Sequence, residues 1–137
     1  MNKLVYIAVS VLMLSACANA KKEEKVLQKE VLDSHEKVMA NDEKAMINKM
    51  KLDTLIKKAD SLKLNKQEAV ELSNKLVYAD EKMSDWMGKL SLDNSGKNHD
   101  DIMKYWEAQK IQVKQIDSML VDATAQSEAY LQKNVKK

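Results

Sequence analysis

The sequence predicts an all-α protein, an antiparallel three-helix bundle with coiled-coil-like packing. The 137-residue chain contains no proline and only two glycines, Gly88 and Gly96, whereas β-rich and turn-rich folds need frequent turn residues. Apolar residues recur three or four positions apart along three long stretches, which is typical of amphipathic helices. Short polar connections separate the stretches and would fold neighbouring helices back on each other. An isolated coiled-coil oligomer is the alternative.

The first helix is predicted over residues 25–63, a stretch without glycine or proline. Its apolar residues repeat close to the 3.5-residue period of coiled coils. The stripe consists of Leu27, Val31, Val38, Ala45, Leu52, Ile56 and Ala59. A second set at similar spacing extends it and consists of His35, Met39, Asp42, Met46 and Met50. Both sets are expected to face the bundle interior.

The second helix is predicted over residues 66–92. Asn65 is a favourable N-cap, and Glu68 occupies the capping-box position three residues later. Every step of the apolar stripe is three or four residues. Its members are Ala69, Leu72, Leu76, Ala79, Met83, Met87 and Leu90.

The third helix is predicted over residues 99–134, after a polar loop of five or six residues around Gly96. Asn98 is the expected N-cap, and Asp100 and Asp101 suit the positive end of the helix dipole. His99 is expected to be solvated in this first turn. The stripe consists of Ile102, Trp106, Gln109, Val113, Ile116, Leu120, Ala123, Ser127 and Tyr130.

The N-terminus has the features of an export signal. Lys3 precedes an apolar run from Leu4 to Leu14, which is shorter than the roughly 20 residues that a membrane span requires. The sequence Leu14–Ser15–Ala16–Cys17 resembles the lipobox of bacterial lipoproteins, in which such a cysteine becomes acylated and the preceding peptide is removed. We therefore expect a signal peptide over residues 1–16, lipidation of Cys17 and a short tether over residues 17–24. In that family Ala18 would favour the outer membrane.

Composition argues against several function classes. The net charge is +2 and all 23 basic residues are lysine, so a nucleic-acid interface with bidentate arginine contacts is not expected. A single cysteine excludes an internal disulfide and a cysteine-based zinc site. The two glycines cannot form a phosphate-binding loop. No acidic pair or nucleophile has a convincing catalytic setting, so the chain is not expected to be an enzyme.

One group of side chains is a candidate metal or haem site. Folding the chain back near residue 64 places Asp42 opposite Trp86, and the turn near residue 95 places Met87 opposite Lys104. This register gathers soft ligands in one third of the bundle: His35, Met39, Met46, Met83 and Met87, with Trp86 and Trp106 nearby. Thioethers and imidazole suit Cu(I) or haem iron. Methionine is also a common core filler, so packing alone is the alternative.

Two segments resemble a group of small, all-helical bacterial lipoproteins. They are His35–Glu36–Lys37–Val38–Met39 and the stretch from Ala79 to Met87, which reads ADEKMSDWM. Members of this group are often labelled "viral A-type inclusion protein", and the resemblance implies no particular activity for this chain. The resemblance implies a lipid-anchored helical bundle. Ser84 departs from the group, whose members often carry a second methionine at this position.

These features predict a membrane-anchored envelope lipoprotein of structural or interaction type, without catalytic activity. The lipid would attach it to the outer membrane, and an envelope protein or a second copy would be its partner. The alternative is a periplasmic helical module that binds Cu(I) or haem through the cluster of His35 and the methionines.

Overall fold

The computed structural model of the chain describes the backbone of residues 2–135 and the side chains of residues 19–134. It is an all-α bundle of three helices in the order α1 (Asn2–Leu62), α2 (Lys66–Lys89) and α3 (His99–Val135). All three pairs of helices pack against each other. The predicted three-helix bundle is therefore confirmed.

Side-chain contacts fix the directions of the helices. Lys37 Nζ lies 2.7 Å from Asp117 Oδ2, and Lys110 pairs with Glu30. Both pairs join α1 to α3 at a separation of 80 residues, so these two helices run parallel. Helix α2 runs antiparallel between them, because the connections on either side of it are short.

The core follows a strict heptad on α1. Residues seven positions apart are at most 2% exposed, and they are Val31, Val38, Ala45, Leu52 and Ala59. Burial of such a continuous apolar row between two partner helices is the main stabilising term for the bundle. On α3 the predicted stripe is buried except for the partly exposed Gln109, and its most enclosed members are Trp106, Val113, Leu120 and Ser127.

Three methionines leave the predicted stripes. Met39 and Met50 are 47% and 69% exposed, and Met87 is 39% exposed. Trp86, rather than Met87, continues the buried row of α2. Trp86 and Met87 lie three and four residues after Met83, so either side chain could continue the stripe. The larger indole gains more free energy from burial than the thioether does.

The N-terminal part of α1 differs from the expected tether. Helix α1 is continuous from Asn2, so residues 17–24 are helical. Glu23 and Glu24 both reach His99 at the start of α3, where Glu24 Oε1 lies 2.8 Å from His99 Nδ1. His99 is thus held between two carboxylates instead of being freely solvated. The bundle begins only six residues after Cys17.

The two connections also differ in length from expectation. The first spans residues 63–65, where Lys63 adopts a left-handed conformation (φ 52°) and Leu64 N donates to Ala59 O. The second spans residues 90–98, because Leu90 turns to extended backbone and ends α2 at Lys89. Both predicted N-caps are confirmed: Asn65 Oδ1 accepts from Glu68 N, and Asn98 Oδ1 from Asp101 N.

The register of α2 differs from the predicted one against both neighbouring helices. Asp42 faces Asp80 instead of Trp86, and Trp86 lies beside His35. On the other side, Ser91 N donates to Tyr105 Oη, which places α3 about one turn further along than the predicted register. The sequence-based facing pairs were therefore wrong by one to two helical turns.

A buried polar group joins α1 to α3. Asn48 is 4% exposed, and its Nδ2 donates to Ser127 Oγ and to Thr124 O at 3.0 and 3.3 Å. We expect Asn48→Ala to lower the free energy of unfolding by about 1–3 kcal/mol, because buried acceptors lose their donor. Urea denaturation followed by circular dichroism measures the change. Asn74→Ala, on the exposed face of α2, is the control, and an equal loss in both variants would contradict the prediction.

Candidate functional site

The candidate site lies in the seam between α1 and α2, at the level of Trp86. The rings of His35 and Trp86 face each other with their centroids 5.8 Å apart and their planes inclined by 39°. His35 Nε2 is buried and has no hydrogen-bond partner among the described residues. A buried ring nitrogen without a partner is unusual in a folded protein, because burial removes its hydrogen bond to water and no protein group replaces that bond.

Trp86 is fixed from the opposite side by α3. Its Nε1 donates to Gln109 Oε1 at 2.8 Å, and the side chain is 5% exposed. The indole therefore spans the bundle from the α3 side to the α1 side and presents one part of its ring to His35. Gln109 was predicted as an ordinary member of the α3 stripe, and the structure gives it this positioning role.

The four predicted methionine ligands divide into two pairs. Met83 is 3% exposed and belongs to the hydrophobic core, and Met46 packs against that core. Met39 and Met87 instead keep a large part of their side chains in solvent. Met39 lies one helical turn beyond His35 on α1, so the two side chains project from one face of that helix.

Heptad spacing places Met87 in the row of α2 that meets α1. Ser73, Asp80 and Met87 are seven residues apart and therefore share one helix face. Ser73 Oγ donates to Asp53 Oδ1 on α1 at 3.1 Å, and Asp80 meets Asp42. Residues later in this row of α2 therefore meet residues earlier in α1, as expected for antiparallel helices. Met87 is the next member of the row, so this spacing predicts that it lies at the level of His35.

Two turns further along the same seam, two carboxyl groups face each other. Burial, the nearby charge of Asp80 and a hydrogen bond with its side chain together raise the pKa of Asp42 above the ordinary value of 3.8. Asp42 Oδ1 is buried without a partner among the described residues. The predicted register placed Asp42 opposite Trp86, and the register shift of α2 brings Asp80 there instead.

A neighbouring aspartate on the seam has the opposite environment. Asp53 accepts hydrogen bonds from Lys49 Nζ at 2.6 Å and from Ser73 Oγ at 3.1 Å. These interactions outweigh partial burial and hold the pKa of Asp53 below its ordinary value. The α1–α2 seam therefore contains one aspartate with a raised pKa, Asp42, and one with a lowered pKa, Asp53.

Trp106 lies apart from this site. It is fully buried in the core, and its ring meets Tyr105 edge to face at 5.2 Å between centroids. Its Nε1 has no hydrogen-bond partner within the described part of the chain. The structure thus places Trp86 beside His35 and leaves Trp106 as a core residue.

Within the residues that the structure describes, no three side chains of histidine, cysteine, aspartate or glutamate are grouped so that they could hold a metal ion. This finding concerns those four residue types and does not include thioethers. Cys17, the predicted lipidation site, lies outside the residues whose side chains are described. Over the same described residues, no helix has an apolar stretch long enough to cross a bilayer.

Comparison with known proteins gives no assignment. No family model, no curated protein and no solved structure matches this chain.

Proposed function

We propose that this protein is a lipid-anchored envelope protein of structural or interaction type, attached to the outer membrane through Cys17. The observation that carries the proposal is that α1 (Asn2–Leu62) runs without a break through Cys17 into the bundle, so the part that remains after removal of residues 1–16 starts inside this helix. One helix contains both the lipidation motif and the row of core residues on which α2 and α3 pack. Lipid anchor and bundle would then form one rigid unit.

The dimensions of α1 support a spacer role. At about 1.5 Å per residue, the 45 steps from Cys17 to Leu62 extend roughly 68 Å. The first contacts between α1 and α3, those of Glu23 and Glu24 with His99, follow about 10 Å after Cys17. The bundle would therefore stand directly on the membrane and hold the α1–α2 connection far from it.

Exposed lysines near the anchor support the same orientation. Lys21, Lys22 and Lys25 are exposed on the first turns that follow Cys17. Lysines at this distance would meet anionic headgroups, each contributing about 1 kcal/mol close to a negatively charged surface. Together with acyl chains, they would fix the angle at which the bundle leaves the membrane.

An apolar patch on α1 supports an interaction role. Ile47 and Met50 are 44% and 69% exposed and lie three residues apart, so they are neighbours on the helix surface. They are more than 40 Å from Cys17 at the helical rise. This patch would meet an envelope partner or a second copy at a distance from the membrane.

The lipid anchor is tested by Cys17→Ser. The wild-type chain is expected in the membrane fraction with the mass of an acylated, processed protein, whereas the variant loses acylation and leaves that fraction. Ser15→Ala, which keeps a small residue in the motif, is the control and should behave as wild type. Equal fractionation and equal acylation of wild type and Cys17→Ser would overturn the anchor.

The interaction role is tested by a photo-crosslinking residue at Met50 in living cells. A discrete adduct at Met50, abolished by Ile47→Lys, supports docking on this patch, and its mass distinguishes a second copy from another protein. The same crosslinker at Lys114, on the exposed face of α3, is the control. Failure to form any adduct above that control would contradict the proposal.

A further inference from the structure

We propose that the α1–α2 seam at Trp86 binds a monovalent soft metal ion, Cu(I), through His35 Nε2 and the thioethers of Met39 and Met87. The proposal does not depend on the lipid anchor. It begins from the unsatisfied nitrogen: His35 Nε2 is buried and lacks a partner within the described chain. A neutral imidazole with its proton on Nδ1 leaves the Nε2 lone pair free for a metal ion.

The two methionines supply the remaining ligands. Met39 follows His35 by four residues, and this spacing lets two side chains of one helix bind the same ion. Met87 belongs to the row of Ser73 and Asp80, whose other members meet α1 at Asp53 and Asp42. Both methionines are partly exposed, so an ion can reach their sulfur atoms from solvent.

The structure narrows the set of ligands that the sequence suggested. Met83 is enclosed in the core and Met46 packs against it, so neither is free to turn toward an ion without disturbing the packing. Trp86 forms one wall of the site, and Gln109 holds its indole in place. An aromatic face beside a cation adds an attractive cation–π interaction.

The ligand chemistry favours Cu(I) over divalent ions. One imidazole and two thioethers are soft, neutral donors that suit monovalent copper, whereas Zn²⁺ prefers thiolate, imidazole or carboxylate and Mg²⁺ requires oxygen ligands. The nearest carboxyl groups of the seam, Asp42 and Asp80, lie two turns along their helices from His35 and Met87. This distance of about 10 Å keeps them out of the coordination shell.

The site is tested with the full chain in detergent, titrated with Cu(I) under reducing conditions against a competing Cu(I) chelator. We expect one equivalent to bind and to quench the fluorescence of Trp86, with Trp106→Phe removing the second tryptophan signal. Ag(I), which has similar ligand preferences and is not oxidised in air, should compete for the same site. Zn²⁺ should not compete.

Matched variants assign the ligands. Met39→Leu and Met87→Leu nearly preserve side-chain volume and should each weaken Cu(I) binding at least about tenfold, as should His35→Gln. Met50→Leu changes an exposed methionine of the same helix and should bind as wild type. Thermal unfolding should be nearly unchanged in all three methionine variants, which separates loss of a ligand from loss of the fold.

Two results would overturn the proposal. One is a wild-type affinity no higher than that of the double variant Met39→Leu/Met87→Leu, which would make the thioethers surface packing. The other is a Soret band in protein purified from its native host, which would assign the seam to haem. Neither result bears on membrane fractionation of Cys17→Ser, so this proposal and the proposed function fail independently.

Discussion

Leu52→Ala is expected to lower the free energy of unfolding by about 2–5 kcal/mol. Leu52 is fully buried in the heptad row of α1, where it packs in the hydrophobic core shared by the three helices. Removing its terminal carbons loses their transfer free energy and leaves a cavity between helices that cannot fully collapse. A loss of this size would be a large part of the stability of a small domain. Urea denaturation followed by circular dichroism measures it.

The matched control is Leu62→Ala, the same replacement at the last residue of α1. Leu62 is half exposed, so its truncation should change the free energy of unfolding by less than about 0.5 kcal/mol. Similar losses at both positions would mean that α1 does not pack along this face. A loss below about 1 kcal/mol at Leu52 would contradict the assigned core.

Asp42→Asn is expected to stabilise the bundle at pH 7, by about 1 kcal/mol. The replacement removes one of two facing carboxylates in the seam, and its amide can donate a hydrogen bond to Asp80. The same replacement at Asp53 should have the opposite sign, because Lys49 and Ser73 stabilise the charged form there. The loss at Asp53 should be about 0.5–1 kcal/mol, since that ion pair is partly exposed.

The pH dependence distinguishes the two aspartates. The pKa of Asp42 is raised in the folded state, so its favourable contribution is complete below the ordinary value of 3.8 and is lost as the pH rises through the folded pKa. The pKa of Asp53 is lowered, so its contribution is present above 3.8 and is lost as the pH falls through the folded pKa.

Denaturation curves across the acidic range measure both effects. The advantage of Asp42→Asn over wild type should shrink on acidification, because wild-type Asp42 then takes up its proton. The deficit of Asp53→Asn should also shrink, because protonation removes the wild-type ion pair. A destabilised Asp42→Asn variant at pH 7 would show that the two carboxyl groups do not oppose each other in the folded chain.

The features that the sequence predicts correctly depend on residues of a single helix. The heptad row of α1 and the α3 stripe apart from Gln109 lie buried as their spacing predicts, because periodic apolar residues on a helix must find a common partner surface. The caps Asn65 and Asn98 were equally predictable, since a side-chain oxygen at the helix start acts on its own next turn. Lipidation of Cys17 stays a prediction from the N-terminal motif.

The candidate site was predicted only in part. The sequence placed His35, Met39 and Met87 in one region, because the two short connections between helices limit which parts of neighbouring helices can meet. It did not identify Asp80 or Gln109, whose importance comes from the helix that each meets. A heptad comparison of Ser73, Asp80 and Met87 was the available signal, but it requires the facing residues of α1 to be known.

By itself, the sequence determined the helical class, the number of helices, most of the row that each one buries and the positions of two caps, because these depend on interactions within a few residues. Only the tertiary structure decided the register between helices, which depends on how the connections of residues 63–65 and 90–98 bring neighbouring helices together. That register places Trp86 beside His35 and Asp80 against Asp42. The reason is geometric: a shift of one turn leaves every apolar stripe buried but changes which polar groups meet.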